Sequence, residues 1–194
     1  MVQLSRNAQV LRFLLEAAPG IGHTKLAKFA YLADLEARKY LGRPISSFRY
    51  VVNRHGPFDA RGFFATCEEL KTLGFVTERE VYVGPYRGYE FHPTPMAPEY
   101  GFSLAETEVL SYVARTYMAL TAKDLCDDVV YETEPMKKKN LKTGDRLPMD
   151  IVNRKRSDDL EFDLDRMLAG EASAKAGRVK PVGEALSELR ARHC

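Results

Sequence analysis

A run of apolar residues at helical spacing between Thr24 and Tyr40 constrains the fold more than any other stretch. Its apolar side chains recur every three or four positions, which is the period of an α-helix. They are Leu26, Phe29, Ala30, Ala33, Ala37, Tyr40 and Leu41. Thr24 is predicted to cap the start of the helix, and Gly42 with Pro44 to end it. Because so broad an apolar face must be covered by other elements, we predict that this is the central core helix.

The other side of this helix combines charged residues with a smaller apolar patch, Leu32 and Leu35. A helix with two apolar patches either packs on two sides or reaches a partner. Asp34 and Arg38 are four positions apart with the acid first, which is typical of an ion pair on a helix surface.

The segments around this helix predict a mostly α (α+β) fold, a compact helical domain of about five to six helices with a small β-hairpin, winged-helix-like in part. Further helices are predicted over 5–18, from an Asp59 cap to Leu73, from Ser103 or Leu104, and from Thr121 to Pro135. The predicted inner stripe of the 59–73 helix is Phe63, Phe64, Cys67, Leu70 and Leu73. Residues 48–52 predict a strand or an extended stretch, and 75–83 with 86–92 predict a hairpin around Gly84–Pro85.

Composition changes along the chain predict two parts. Residues 1–145 form the domain, and residues 146–194 form a C-terminal extension. In that extension, residues 169–183 are rich in Ala, Gly, Ser and Lys, which is typical of a linker. A short amphipathic helix with Leu186 and Leu189 on one face follows it.

Charge and cysteine content narrow the function classes. The formal net charge of the 194 residues is +2, too small for the whole molecule to attract nucleic acid or anionic membranes by charge alone. We find no apolar run long enough to cross a bilayer and no signal peptide, so a cytoplasmic location is expected. Cys67, Cys126 and Cys194 are odd in number and far apart, which disfavours a disulfide framework or a zinc site.

The sequence offers no pattern of residues typical of an enzyme. His23, His55, His92 and His193 are not at metal-ligand spacing, and only His55, beside Gly56–Pro57, has an unusual backbone context. Phosphate-binding glycine loops and nucleophile motifs are absent. We therefore predict no catalytic residues, no metal and no cofactor.

The order of helix, third helix and hairpin is also that of a winged helix, so a DNA-binding transcriptional regulator is the alternative function. In that case the 59–73 helix would enter the major groove. Acidic residues outnumber basic ones on this helix and on the hairpin, which disfavours contact with phosphates. The basic cluster Lys137, Lys138, Lys139 and Lys142 is more simply a solvated loop.

Several motif residues in order resemble one known family. The first block is Lys25–Leu26, Lys28–Phe29 and Tyr31–Leu32–Ala33–Asp34, followed by Gly42–Arg43–Pro44–Ile45, Tyr50 and His55–Gly56–Pro57–Phe58. The second is Leu125 with Val130–Tyr131–Glu132, Glu134–Pro135–Met136. Together they resemble the Panacea domain, which includes the SocA-like antitoxins of bacteria and their phages. The resemblance covers about residues 5–140.

This resemblance implies an antitoxin that neutralises a cognate toxin by protein contact, in some members as an adaptor that passes the toxin to a protease. It implies no catalytic residue and no cofactor. The expected partners are a cognate toxin and, further, a protease or chaperone; neither nucleic acid nor a membrane is expected. The predicted partner-binding residues are Lys25, Lys28, Leu32, Leu35, Lys39, Leu186 and Leu189. The predicted structural motif residues are Lys25, Leu26, Tyr31, Asp34, His55, Gly56, Pro57, Tyr131 and Pro135.

Overall fold

Five α-helices and one three-stranded sheet make up residues 3–152, the part of the chain that this computed structural model describes. The helices are α1 (Arg6–Ala17), α2 (His23–Leu41), α3 (Ala60–Thr72), α4 (Leu104–Tyr117) and the single turn α5 (Ala122–Asp124). A π-helix (Leu125–Val130) continues α5, and a 3₁₀ turn lies at Met149–Ile151. The strands are β1 (Ile21–Gly22), β2 (Val76–Val83) and β3 (Tyr86–Pro93). The predicted mostly α, α+β class is confirmed.

Helix α2 is the centre of the core, as predicted. Every residue from Leu26 to Ala37 is buried, and the helix contacts α1, α4 and the π-helix. Burying each large apolar side chain contributes about 1.5–3 kcal/mol. The second apolar patch of α2 was predicted either to pack within the fold or to reach a partner. Packing within the fold is what the structure shows.

The start of α2 differs from the prediction. Gly22, and not Thr24, is the N-cap residue, and no side chain caps the helix there. The reason is β1, whose extended backbone pairs with β3 until the helix begins. The other end is as predicted, because Gly42 takes the left-handed conformation (φ 74°) that ends many helices.

The hairpin is confirmed. Strands β2 and β3 pair antiparallel from Val76 opposite Pro93 to Val83 opposite Tyr86. Strand β1, which was not predicted, pairs with the edge of β3 that lies opposite β2, so the strand order is β1-β3-β2. At Gly22 a β-carbon would lie 2.9 Å from the Tyr89 carbonyl oxygen, so this close strand approach requires glycine.

Helix α3 begins and ends as predicted but turns one aromatic ring outward. Asp59 caps it by accepting a hydrogen bond from the Gly62 amide at 2.9 Å, and Gly74 follows its end with φ 75°. Phe63 and Cys67 face the core. The inward position predicted for Phe64 is wrong, since its side chain is 48 % exposed.

Residues 48–52 are extended but belong to none of the three strands. Val51 forms isolated bridges with Phe58 and Arg146, so the extended-stretch alternative is the correct one. Farther along, Leu147 is buried and donates its amide to the Tyr50 carbonyl at 2.9 Å. The predicted helix with Leu186 and Leu189 lies outside the described residues, and the 145/146 boundary stays a prediction.

Helix α4 starts as predicted, and the helix predicted after it is shorter than expected. Ser103 caps α4 in a capping box with Glu106, and Thr121 caps α5. The prediction of one helix from Thr121 to Pro135 is wrong, because α5 widens into the π-helix after three residues. The Tyr131 amide donates to the Cys126 carbonyl at 3.0 Å, a five-residue spacing.

Candidate functional site

Asp34 holds the central helix to the chain segment that follows it. Its carboxylate is 1 % exposed and accepts hydrogen bonds from the Ile45 amide (2.9 Å), the Ser46 amide (2.8 Å) and the Tyr50 hydroxyl (2.8 Å). The Ser46 hydroxyl donates a fourth. Burial raises the pKa of Asp34, and these hydrogen bonds oppose the shift.

The predicted surface ion pair between Asp34 and Arg38 is therefore wrong. All of the Asp34 hydrogen bonds described here go to residues 45–50. The carboxylate lies on a buried side of α2 because the 45–50 segment covers it. These hydrogen bonds join α2 to the 45–50 segment.

Tyr31, three residues before Asp34, links α2 to the segment after the π-helix. Its hydroxyl is 2.7 Å from the Thr133 hydroxyl, and its ring packs edge-on against Tyr50 at a centroid distance of 5.2 Å. Burial raises the pKa of Tyr31 well above its usual range. The phenol is thus a neutral hydrogen-bonding group in the core.

Lys28 is buried, although it was predicted to contact a partner. Its side chain reaches the Gly56–Pro57 turn, where the ammonium donates to the Pro57 carbonyl at 2.7 Å. It also lies 5.9 Å from the centroid of the Phe58 ring. Burial lowers the pKa of Lys28 to about 8. Only 2 % of the residue is exposed, so the prediction that it belongs to an exposed face is wrong.

The turn held by Lys28 has a backbone that requires glycine. Gly56 has φ +83°, and a β-carbon there would lie 3.2 Å from a Val130 methyl and 3.4 Å from the Lys28 ammonium nitrogen. The Cys126 thiol lies 3.9 Å from the His55 carbonyl oxygen, while the His55 residue itself is exposed. This turn is therefore closed on the inside by α2 and the π-helix.

Leu32 and Leu35 do not form an exposed patch, because the packing of α2 buries both. They contribute to the floor of a groove of about 370 Å³ between α2 and the π-helix. Its rim carries Lys39, which forms a 2.6 Å ion pair with Glu36. The acidic residues around the groove are Glu36, Asp128, Glu132 and Glu134.

The comparison with protein families decides the identity of the chain. A family described as antitoxin SocA-like, Panacea domain, matches residues 26–134, more than half of the 194 residues. The chain belongs to this family. No curated protein and no solved structure matches it significantly. The predicted resemblance is confirmed, and the family supports an antitoxin role with a toxin as the general class of partner.

Within this Panacea domain the motif residues contribute mainly to internal contacts. Besides Lys28, Tyr31 and Asp34, Leu26 and Pro135 are buried, and the Tyr131 hydroxyl donates to the Arg54 carbonyl at 3.2 Å. These contacts join α2 to the turn at residues 53–58 and to the segment after the π-helix.

Two predicted contact residues of the Panacea domain remain partly accessible. Lys25 donates a hydrogen bond to the Met118 carbonyl after α4 and lies 5.6 Å from the centroid of the Phe29 ring. Lys39 lies at the groove rim, paired with Glu36. Leu186 and Leu189 lie outside the described residues.

Histidines and cysteines in the described part of the domain are dispersed. His23 forms a 2.9 Å contact with Glu78 and packs among aromatic rings. Burial raises the pKa of the Cys67 thiol to about 12, so it is not a thiolate at neutral pH. Residues 3–152 contain no group of three or more His, Cys, Asp and Glu side chains that could hold a metal ion.

Two of the four Lys and Arg side chains on α3, β2 and β3 are already paired with carboxylates. Lys71 on α3 is paired with both Glu68 (2.6 Å) and Glu78 (3.0 Å), and Arg87 on β3 is paired with Glu80 (2.8 Å). Phosphate neutralisation needs basic side chains that face solvent without such partners. As for membranes, none of the helices within residues 3–152 combines the length and apolarity needed to span one.

The sequence missed two features of this site. Ser46 and Thr133, which complete the hydrogen bonds of Asp34 and Tyr31, carried no motif or spacing signal. The second is a pocket of about 200 Å³ beside the Gly56–Pro57 turn. Its lining includes Phe64, the residue that was predicted to face inward, so the predicted stripe of α3 gave no signal for this pocket.

Proposed function

We propose that the protein is an antitoxin that neutralises a cognate toxin by direct protein–protein contact. The observation that carries this proposal is the family match over residues 26–134. The internal use of Lys28, Tyr31 and Asp34 supports it, because their side chains serve the scaffold. A scaffold of this kind presents its outer surface to a partner and requires no chemistry of its own.

The proposed contact residues that remain are Lys25 and Lys39 on the domain and Leu186 with Leu189 in the C-terminal extension. Leu32 and Leu35 are withdrawn from this surface because the fold buries them. Lys28 is also buried, and it borders the pocket beside the Gly56–Pro57 turn. An amphipathic segment after a polar linker is a form suited to folding on a partner.

Co-expression with the product of the adjacent gene tests the proposal. We expect that product to stop growth by itself and this protein to restore growth and to copurify with it. Lys39→Glu with Lys25→Glu, and separately a truncation after Ala169, should weaken both effects. Asp150→Lys, a charge reversal on the exposed 3₁₀ turn, is the matched control. If neither change weakens growth rescue or copurification, the contact residues are wrong; if the wild type neither rescues nor copurifies, the function is wrong.

The same cells separate simple sequestration from delivery to a protease. We propose sequestration as the basic activity, and a protease-adaptor role as an addition made through the extension. The adaptor role predicts that toxin abundance falls when the antitoxin is present and recovers when the extension is removed. Equal toxin abundance in cells with the full-length antitoxin, with the truncated antitoxin and without antitoxin would refute the adaptor role.

We further propose that neutralisation involves no catalytic step of this protein. His55 is exposed at the Gly56–Pro57 turn, so His55→Ala is the informative change. It should leave growth rescue intact. Loss of rescue by a folded His55→Ala protein that still copurifies with the gene product would instead indicate chemistry at this side chain.

A further inference from the structure

The pocket beside the Gly56–Pro57 turn lies where three parts of the fold meet. The first turns of α2, the turn at residues 53–58 and the start of α3 enclose about 200 Å³. Its lining residues are His23, Thr24, Ala27, Lys28, Asn53, His55, Gly56, Phe58 and Phe64. This volume is below the usual range for drug-sized ligands, so the pocket suits a single amino-acid side chain.

Lys28 gives the pocket a positive charge that the described part of the protein does not neutralise. The ammonium group has three N–H donors, and the Pro57 carbonyl takes one of them. Within residues 3–152 it forms no ion pair with a carboxylate, and its hydrogen bond goes to a neutral carbonyl. Buried charges are normally paired, so this ammonium lacks the anion that its environment favours.

The rest of the lining contains two histidines, His23 and His55, together with apolar and hydrogen-bonding residues. Phe58 and Phe64 supply aromatic surface, and their rings pack edge-on at a centroid distance of 5.8 Å. Phe64 is also 48 % exposed. Thr24 and Asn53 add neutral hydrogen-bonding groups to the lining. One positive charge beside an aromatic wall matches a carboxylate next to an apolar group.

We propose that this pocket binds a carboxylate borne by one residue of a partner protein, with an apolar group of that residue or its neighbour against Phe64. An acidic side chain and a C-terminal carboxylate share this chemistry. The identification of the partner as the toxin rests on the proposed function. The carboxylate site itself does not, because it follows from Lys28 and the shape of the pocket.

Two small probes test the site in the full-length protein. N-acetyl-phenylalanine carries a carboxylate beside an aromatic ring, and N-acetyl-phenylalaninamide is its neutral match. In an amide ¹H–¹⁵N titration, the acid should shift the signals of residues 53–58 and Phe64. The amide should bind at least about tenfold more weakly, since a charge-assisted hydrogen bond is lost. Equal binding of the two probes, or shifts confined to other residues, would overturn the proposal.

Variants assign the effect to the pocket. Lys28→Met should weaken binding of the acid at least about tenfold, while Lys123→Met, at an exposed lysine outside this lining, should leave it unchanged. If Lys28→Met does not fold, Phe64→Ala at the exposed rim decides, with an expected loss of about fivefold from the missing ring contact. Wild-type binding of the acid by Phe64→Ala, or an equal loss in Lys123→Met, would contradict the site.

A measurement of complex formation distinguishes a carboxylate on a partner protein from that of a free small molecule. The complex of Phe64→Ala with the adjacent gene product should be at least about fivefold weaker than the wild-type complex. If that complex is unchanged while binding of the acid is lost, the partner assignment is wrong and the proposed function stands. If the wild type shows no complex at all, the proposed function fails, and the probe titration still decides the carboxylate site.

Discussion

Removing the Asp34 carboxylate should destabilise the domain more than any surface change. Asp34→Ala leaves four donors without their acceptor: the amides of Ile45 and Ser46 and the hydroxyls of Ser46 and Tyr50. An unsatisfied buried polar group costs about 1–3 kcal/mol, so the four donors together cost about 4 kcal/mol at the low end of this range. We therefore expect the free energy of unfolding to fall by about 4 kcal/mol, a large part of the 5–15 kcal/mol typical of a domain.

Asp34→Asn should be much milder. One amide oxygen can still accept from the two backbone N–H groups, and the amide NH₂ can donate to the two hydroxyl oxygens. The variant also removes the cost of burying a charge. We expect a loss of about 1 kcal/mol, because rearranged hydrogen bonds are less favourable than the original set.

Urea unfolding followed by circular dichroism measures both losses, with the urea dependence of the free energy compared to ensure a common unfolding reaction. Asp128→Ala, a change of the same residue type at an exposed position, should stay within about 0.5 kcal/mol of the wild type. A loss below about 1 kcal/mol for Asp34→Ala, or equal losses for the alanine and asparagine variants, would refute the role assigned to this carboxylate.

Three further predictions concern the Lys28 turn and a helix cap. Burial lowers the pKa of Lys28 from 10.5 to about 8. Between these two pH values the unfolded chain binds more protons, so the free energy of unfolding should rise with pH by up to about 3 kcal/mol. The free energies of unfolding of the wild type and Lys28→Met at pH 7 and pH 10 check this, and a difference between the two proteins that is the same at both pH values contradicts it. Gly56→Ala should lower the free energy of unfolding by about 1–3 kcal/mol, because of its positive φ and the contact of the new methyl group with Val130. The loss should exceed that of Gly84→Ala, where φ is also positive but no atom lies near the new methyl group. Equal decreases in melting temperature for the two variants would refute the contact with Val130. Ser103→Ala should cost about 1 kcal/mol through loss of its cap on α4, and an unchanged urea midpoint would be the contrary result.

The elements of the fold were predictable where their signals are local. The period of apolar residues in α2, the Asp59 cap and the Gly84–Pro85 turn each lie within one segment, and each was confirmed. Strand β1 was missed because two residues carry no period. The π-helix was missed because its widened turn is a feature of the backbone and not of the composition of residues 125–130.

The candidate site was harder to predict because its contacts join distant segments. The spacing of Asp34 and Arg38 suggested a local ion pair, whereas the actual partners begin eleven residues later, at Ile45. Lys28 was assigned to a partner-binding side of α2 because it shares that side with other charged residues. The contrary signal was available: apolar residues occur on all sides of α2, as in a helix that is buried all round. Charged residues within such a helix are buried with it.

Calorimetric titration of the purified adjacent gene product with the purified protein measures most directly whether this antitoxin binds a toxin. We expect saturable binding, together with growth rescue by the same pair in cells. We also expect weaker binding for Phe64→Ala and unchanged binding for Asp150→Lys, at an exposed position outside the pocket lining. Growth rescue without any measurable binding would contradict neutralisation by contact.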